Sequence, residues 1–465
     1  MMSLSLMLLL LLVCSSQATH FWGTVMTYYP KNTNANGSVT VILRYKLNFH
    51  TCTYSTSWQC LSGDCGTESV VVNNVDTEDT EWCQTEGIST RVVPSNAPFE
   101  LWLNDGNWIN TIVNGIVSSK AVTVVELRNR SDTGRANRSP QTTILPSVGV
   151  PSNCQRDFSL LAFDPDGDQV TCRYGNTSLS ECDPCTPPSV LRLSSSCTLS
   201  FSPTISRQEG PYAVQLVMED FPRQTITLTQ TNGLQTLKTT SDAISKIPIQ
   251  FVLRVDPVVP SCTEGLYLPR FLPPTPDNRA QLYTSVSRTV EISIKAEANI
   301  STISELLFSG PYNINWTTTA EGQYILRWTP AQNEDGESFP ICFVVQALYN
   351  SVKYQSELRC VIVTVENSDY NNTTTTPTAE GSTPNAITTQ NMTSTPTTSP
   401  STPETLNEVV IGLRIKLSSS SPLSEDYIRS TVMQELKDEL IRQGMPSDIT
   451  LRLVSSVTTS LASRG

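Results

Sequence analysis

The sequence predicts a mainly β protein: tandem β-sandwich domains, then a mucin-like disordered linker and a small C-terminal β-α-β module. Three observations carry that prediction. Short apolar runs alternate with polar residues at a period of two and are separated by Pro, Gly and Asn turns. A Thr/Ser/Pro-rich tract over 369–406 has almost no large apolar side chain, so burial cannot offset its ordering entropy. Beyond it, apolar residues recur at helical spacing between two strand-like runs.

Taken in chain order, residues 4–13 are a Leu-rich run followed by Ser15, Ser16 and Ala18. That pattern is a signal peptide over 1–18, cut after Ala18, and the run is too short to span a bilayer. A disulfide-containing β domain is expected over 19–145. Its clearest strand is 38–49, with Val39, Val41, Leu43, Tyr45, Leu47 and Phe49 on one face and Thr40, Arg44, Lys46 and Asn48 on the other. Strands 98–103 and 121–127 follow in the same domain. Strands 213–218 and 249–255 belong to a β-sandwich over 146–258. Strands 289–296, 323–328, 341–348 and 358–365 belong to a second sandwich over 259–368.

These two sandwiches read as copies of one domain. EGPYAVQLVMED (209–220) echoes EGQYILRWTPAQNED (321–335), and FSLLAFDPDGD (158–168) lines up with VEISIKAEANI (290–300). Each copy closes on an apolar strand, at 247–256 and 356–366. The linker over 369–406 reads as an O-glycosylated spacer that would reach on the order of 100 Å if extended. In the module over 407–465, Val409–Leu417 is a strand and Ser424 caps a helix ended by Gly444 and Pro446. Ile449–Val454 returns as a strand.

Composition points outside the cell. Acceptor sequons stand at Asn36, Asn129, Asn137, Asn176, Asn299, Asn315, Asn371, Asn372 and Asn391. Removing Cys14 with the signal leaves an even set of cysteines, suited to disulfides in an oxidising compartment. Cys342 and Cys360 lie on consecutive strands and are expected to pair, which on the chain-entropy model adds roughly 3 kcal/mol. Cys52, Cys60, Cys65 and Cys83 allow three pairings, left open. Cys154, Cys172, Cys182, Cys185, Cys197 and Cys262 are expected to pair in or near the middle domain. No second apolar stretch reaches the ~20 residues of a membrane span. A formal charge of −12 argues against nucleic acid and anionic membranes as partners. A secreted, soluble chain is expected.

The most informative stretch is LAFDPDGDQVTC, 161–172. Asp164, Asp166 and Asp168 alternate with Pro165 and Gly167 in a tight loop between two strands. Carboxylates this close repel unless a cation sits among them, and oxygen ligands at alternate positions suit Ca²⁺. The plainer reading is a solvated acidic turn. The pattern argues against an EF-hand, because Gly175 holds the twelfth loop position and no helix is expected to flank the loop. Asn333-Glu334-Asp335-Gly336-Glu337 reads as a surface turn.

The apolar strand, Ala162, Asp164, Asp166-Gly167-Asp168 and second apolar strand resemble the signature of cadherin-like β-sandwich repeats, including the dystroglycan variants. The resemblance covers 146–368. It implies that Asp164, Asp166 and Asp168 bind Ca²⁺ and stiffen a domain junction, with Glu219 and Asp220 as further ligands. The cysteines at 172, 182, 185 and 197 depart from ordinary repeats of this kind. The C-terminal unit is similar to part of an SEA domain but lacks the Gly-Ser-Val cleavage sequence, so no autoproteolysis is implied.

No catalytic residue is assigned and no enzyme is expected. His20 and His50 are the only histidines, and neither a nucleophile elbow nor a phosphate-cradling loop occurs. Cys182-Asp-Pro-Cys185 has redox spacing without a surrounding βαβ pattern, so a structural bridge is expected. Phe21, Trp22, Tyr28, Tyr29, Trp102 and Trp108 of the N-terminal domain read mainly as core. The function these features point to is a secreted calcium-binding recognition or adhesion glycoprotein whose partner is an extracellular protein or glycan. The alternative is a structural component of mucus or extracellular matrix.

Overall fold

A computed structural model describes residues 20–366 except Ser55, Asp79, Thr80 and Asp105, together with Gln434 and Lys437. The chain divides into two compact units, Met1–Thr378 and Ala379–Gly465. In the second unit Gln434 and Lys437 are helical, within the helix expected after Ser424. The signal peptide, the linker over 369–406, the rest of the C-terminal module and the sequons at Asn371, Asn372 and Asn391 lie outside the described residues. No helix among the described residues is long and apolar enough to cross a membrane.

The first unit is built almost entirely of strands. His20–Thr33, Val39–Phe49, Trp82–Val93 and Thr67–Glu78 run antiparallel in that sheet order. Phe99–Leu103 and Ala121–Val125 pair opposite them. Between the two groups lies a core of Phe21, Tyr28, Leu43, Leu47, Phe99 and Leu101. The period of two in 38–49 is realised, since Val39, Val41, Leu43, Tyr45, Leu47 and Phe49 are all buried.

The middle sandwich pairs Ser147–Pro151 parallel to Lys246–Asp256. That strand is joined antiparallel by Gly210–Phe221 and then Gln169–Tyr174. The facing sheet is Arg156–Ser159, Thr198–Phe201 and Leu191–Leu193. The last sandwich repeats this order. Ala280–Ser285 lies parallel to Arg359–Glu366, followed by Ser338–Tyr349 and Thr302–Ser309. Its facing sheet is Arg270–Leu272, Val290–Glu297, Gln323–Trp328 and Asn315–Ala320.

Shared strand order makes the two sandwiches copies, with one shift from the sequence reading. The strand Gly210–Phe221 corresponds to Ser338–Tyr349, not to the Glu321–Tyr324 region that it echoes. Gln323–Trp328 instead takes the place of Thr198–Phe201. A Glu-Gly-Tyr entry suits the start of any strand, so the echo marked a local motif rather than an equivalent position.

Two findings change the picture of separate beads. First, Val25 pairs with Ile249 and Val124 with Lys246, so Lys246–Asp256 belongs to the N-terminal sheet as well as the middle sandwich. Its run Ile247–Leu253 is buried throughout, as expected for a strand covered on both faces. Sheet pairing thus runs across the boundary expected at 145/146. Second, the polar face of Val39–Phe49 is largely covered, with Lys46 and Asn48 buried and Thr40 and Arg44 half-buried. Arg44 reaches Glu334 at 3.5 Å and Glu337 at 3.3 Å, and Lys46 lies 2.9 Å from Glu86. The loop 333–337, expected as a surface turn, is therefore an ion-pairing seam with buried Glu334 and Glu337. The last sandwich also turns Cys342, Val344, Cys360 and Ile362 toward the core around Val148, Leu160 and Leu253.

Six disulfides staple these parts: Cys52–Cys83, Cys60–Cys65, Cys154–Cys262, Cys172–Cys197, Cys182–Cys185 and Cys342–Cys360. Cys342 and Cys360 sit directly opposite each other on neighbouring antiparallel strands. Cys172–Cys197 ties the two sheets of the middle sandwich. Cys154–Cys262 joins the start of the middle sandwich to the start of the last one across 108 residues. It closes the longest of the six loops, and the chain-entropy term, which grows with loop length, reaches roughly 4–5 kcal/mol there.

Asp76 sits on a third seam, accepting the Phe308 N–H at 2.9 Å. Burial pushes its carboxyl up from 3.8 to about 7, against the N–H groups of Phe308 and Thr77, with Glu305 and Glu78 adding to the rise. The folded form therefore keeps a proton that the unfolded chain gives up, and stability from this site falls as pH climbs from 3.8 to about 7. Asp76→Asn should raise the melting temperature by roughly 2–4 °C at pH 8 and by less at pH 5. Calorimetric scans showing equal gains at both pH values, or a loss at pH 8, would contradict this.

Candidate cation site

The loop that follows Arg156–Ser159 turns on Asp164. Its Oδ1 accepts the N–H groups of Asp166 at 2.9 Å and Asp168 at 3.0 Å, an Asx-turn arrangement. Gly167 takes a φ of +81°, which a side chain would disfavour, and its N–H returns to the Asp164 carbonyl. The loop then feeds Gln169–Tyr174, where Val170 lies opposite Asp220 on the neighbouring strand. Asp164, Asp168 and Asp220 converge as a result, with one oxygen of each lying within 4.8 Å of the others. All three are buried.

A cation already enters this cluster, and it is a side chain. Arg130, fully buried, comes from the segment between Ala121–Val125 and Ser147–Pro151. Its Nη2 donates to Asp168 Oδ1 at 2.8 Å, and its Nη1 donates to the other Asp168 oxygen, a bidentate pair. Nε and Nη2 grip Asp132 at 3.0 and 2.8 Å, and Nη1 also donates to Asn137 Oδ1 at 2.6 Å. Asp220 is held by Ser245 N at 2.8 Å, Ser245 Oγ at 2.6 Å and Asn137 Nδ2 at 2.8 Å. Asp164 Oδ2, in contrast, is buried without a hydrogen-bond partner.

The electrostatics follow from this layout. Burial raises the Asp164 carboxyl, and the neighbouring Asp220 charge raises it further. Asp220 is also raised, first by burial, against the donors of Ser245 and Asn137. Burial disfavours the Arg130 charge, but its hydrogen bonds to Asp168 and Asp132 outweigh that and hold it protonated. Those same bonds lower Asp132. The carboxyl groups of Asp132, Asp164, Asp166, Asp168 and Asp220 outnumber the guanidinium groups among the described residues around them, Arg130 and Arg138 at the carboxylates and Arg223 on the Gly167 carbonyl. The site needs protons or a further cation to balance it.

Three residues expected from the sequence lie differently. Asp166 turns away from the trio and accepts the Arg138 N–H at 2.7 Å. Glu219 precedes Asp220 on one strand, so the two side chains leave opposite faces. Glu219 pairs with Arg173 at 2.9 Å and Lys246 at 3.5 Å, apart from the Asp cluster. Asn137 is a sequon whose side chain is fully buried between Asp220 and Arg130, which leaves no room for an oligosaccharide on its nitrogen. The sequon asparagines Asn36, Asn129, Asn176, Asn299 and Asn315 are exposed. Arg130 and Ser245 were not legible as site residues. Their only sequence signal is an arginine and a serine in polar connectors, and their partners lie 38 and 25 residues away.

Elsewhere, His20 and His50 stack edge-on with ring centroids 5.8 Å apart, and His50 Nδ1 lies 3.0 Å from the Glu81 carbonyl. Phe21, Tyr28, Tyr29 and Trp108 are core residues, whereas Trp22 and Trp102 are half-buried.

Comparison with protein families finds no match, and comparison with curated proteins finds none. Among solved structures, human protocadherin-24 EC1-2 aligns with 50% of this chain and 100% of its own at 13% identity and a TM-score of 0.15. Drosophila N-cadherin EC1-4 aligns with 74% of this chain and 92% of its own at 10% identity and a TM-score of 0.16. Sidekick-1 immunoglobulin domains 1-4 align with 73% and 75% at 12% identity and a TM-score of 0.15. Superpositions this loose leave the fold to be read from the strand pairings themselves.

Arg130→Met should cost roughly 3–5 kcal/mol, because it strands the buried Asp168 carboxylate. Adding Asp168→Asn should recover a large part of that loss by removing the orphaned charge. Urea denaturation in the presence of chelator measures both, and equal losses in the single and double variants would contradict the pairing described here.

Proposed function

We propose that this chain is a secreted recognition or adhesion glycoprotein that binds an extracellular protein or glycan. In this reading a calcium ion at Asp164, Asp168 and Asp220 braces the seam between the Arg130 segment and the middle sandwich. The observation that carries the calcium part is the buried, unpartnered Asp164 Oδ2, set within a cluster whose negative charge exceeds what Arg130 supplies. Such an oxygen is free to accept a hard cation. When bound, the ion would supply the missing positive charge and tie the loop to the end of Gly210–Phe221, while Arg130 goes on holding Asp168.

The six disulfides, the apolar run at 4–13 and the exposed sequons favour secretion. Every cysteine beyond Cys14 is paired within the chain. A covalently cross-linked matrix component would need a free thiol, so the recognition reading is preferred. Nothing in the arrangement of His20 and His50 provides an activated nucleophile, and the function is read as binding rather than catalysis.

Calcium titration of the full secreted chain by calorimetry, with melting curves in calcium and in chelator, tests the cation site. Native protein should bind calcium saturably and melt higher in its presence. Asp164→Asn should abolish that calcium-dependent rise while keeping the melting temperature in chelator. Absence of binding at millimolar calcium would reduce the cluster to a proton-balanced ion pair around Arg130.

A further inference from the structure

Among the described residues, strand Thr67–Glu78 ends the large sheet and pairs on one side only, with Trp82–Val93. It is 12 residues long. Its C-terminal part is covered, with Asp76 bonded to Phe308 N and Val75 packed on the last sandwich's core. From Thr67 to Val72 every residue is exposed. Val70, Val71 and Val72 are 40%, 60% and 43% exposed, and Val92 on the adjacent strand is 42% exposed. Soluble proteins blunt such an edge with charge, proline or a short strand, because its free N–H and C=O groups invite another strand. The exposed half, Thr67–Val72, has no proline, its one charge, Glu68, is turned back onto Arg91, and the register shift at Asn74/Asp76 lies beyond it. The contrast with Asn315–Ala320 is direct, since that exposed edge carries threonines and opens on a sequon asparagine. No sequon falls between residues 67 and 93.

We infer that the occupant of this edge is a second copy of the chain, joined antiparallel about Val71. In that register Val71 meets Val71 of the second copy, Val70 meets Val72, Ser69 meets Asn73 and Glu68 meets Asn74, so no like charges oppose. Centring on Val72 instead would set Glu68 against Asp76. The stretch is also suited to bringing two acidic chains together. Its one charged residue ahead of Asp76 is Glu68, which is already paired with Arg91 at 2.5 Å. Two-fold pairing satisfies the edge groups of both copies and removes the valines from water. It is independent of the cation site.

Sedimentation velocity of the full secreted chain over a concentration series tests this. Native protein should show a reversible monomer–dimer equilibrium in the micromolar range. Val71→Lys should shift it to monomer with an unchanged melting temperature, because the side chain is exposed. Val71→Cys should give a covalent dimer under mild oxidation, since residue 71 faces itself across the two-fold axis. A native chain that stays monomeric, a V71K variant that still dimerises, or a V71C dimer that does not cross-link would each overturn the inference.

Discussion

Charge taken out of water has to be met by opposite charge or by a proton, and in this molecule buried ion pairs sit where β elements meet. Arg130 leaves the connector ahead of the middle sandwich and is held on Asp168 and Asp132. Arg44 and Lys46 leave the N-terminal sheet and are held on Glu334, Glu337 and Glu86. Neither seam is a stability device in its own right, since well-packed apolar residues would serve as well or better. What the ion pairs contribute is register, because a displaced seam would leave a buried charge unpaired.

The hydrophobic framework works alongside those seams. Lys246–Asp256 pairs within two bodies at once, so the N-terminal sheet and the middle sandwich cannot separate without breaking a buried strand. The last sandwich closes onto the same core through Cys342, Val344 and Ile362. Cys154–Cys262 then limits how far its first strand can move from the middle one. The surfaces of such a body are pre-organised, and pre-organisation lowers the ordering cost of any binding.

The Asp loop shows how little of a site one local motif contains. The loop does turn on Gly167 between two strands, and its clustered carboxyl groups call for neutralisation. Part of that neutralisation is a guanidinium, Arg130, delivered by a connector with no marker of its role. Asp164 and Asp220, both raised by burial, are the carboxyl groups that Arg130 does not reach. Asn137 makes the same point from the other side, because a sequon describes three residues and says nothing about what covers them.

Local pattern by itself determined the strands. Val39–Phe49, Phe99–Leu103, Val290–Glu297 and Arg359–Glu366 follow from apolar alternation and turn residues, because side-chain period and chain punctuation are properties of adjacent residues. The duplication of the sandwich was visible for the same reason, though its alignment slipped where a Glu-Gly-Tyr motif recurred on non-equivalent strands. Only the tertiary structure decided that the polar face of Val39–Phe49 is largely covered, that Lys246–Asp256 serves two sheets, and that Arg130 rather than Glu219 joins Asp168 and Asp220. Each of those outcomes depends on pairing between residues tens to hundreds of positions apart. Burial and electrostatics at such distances are settled by packing, which no short window of sequence encodes.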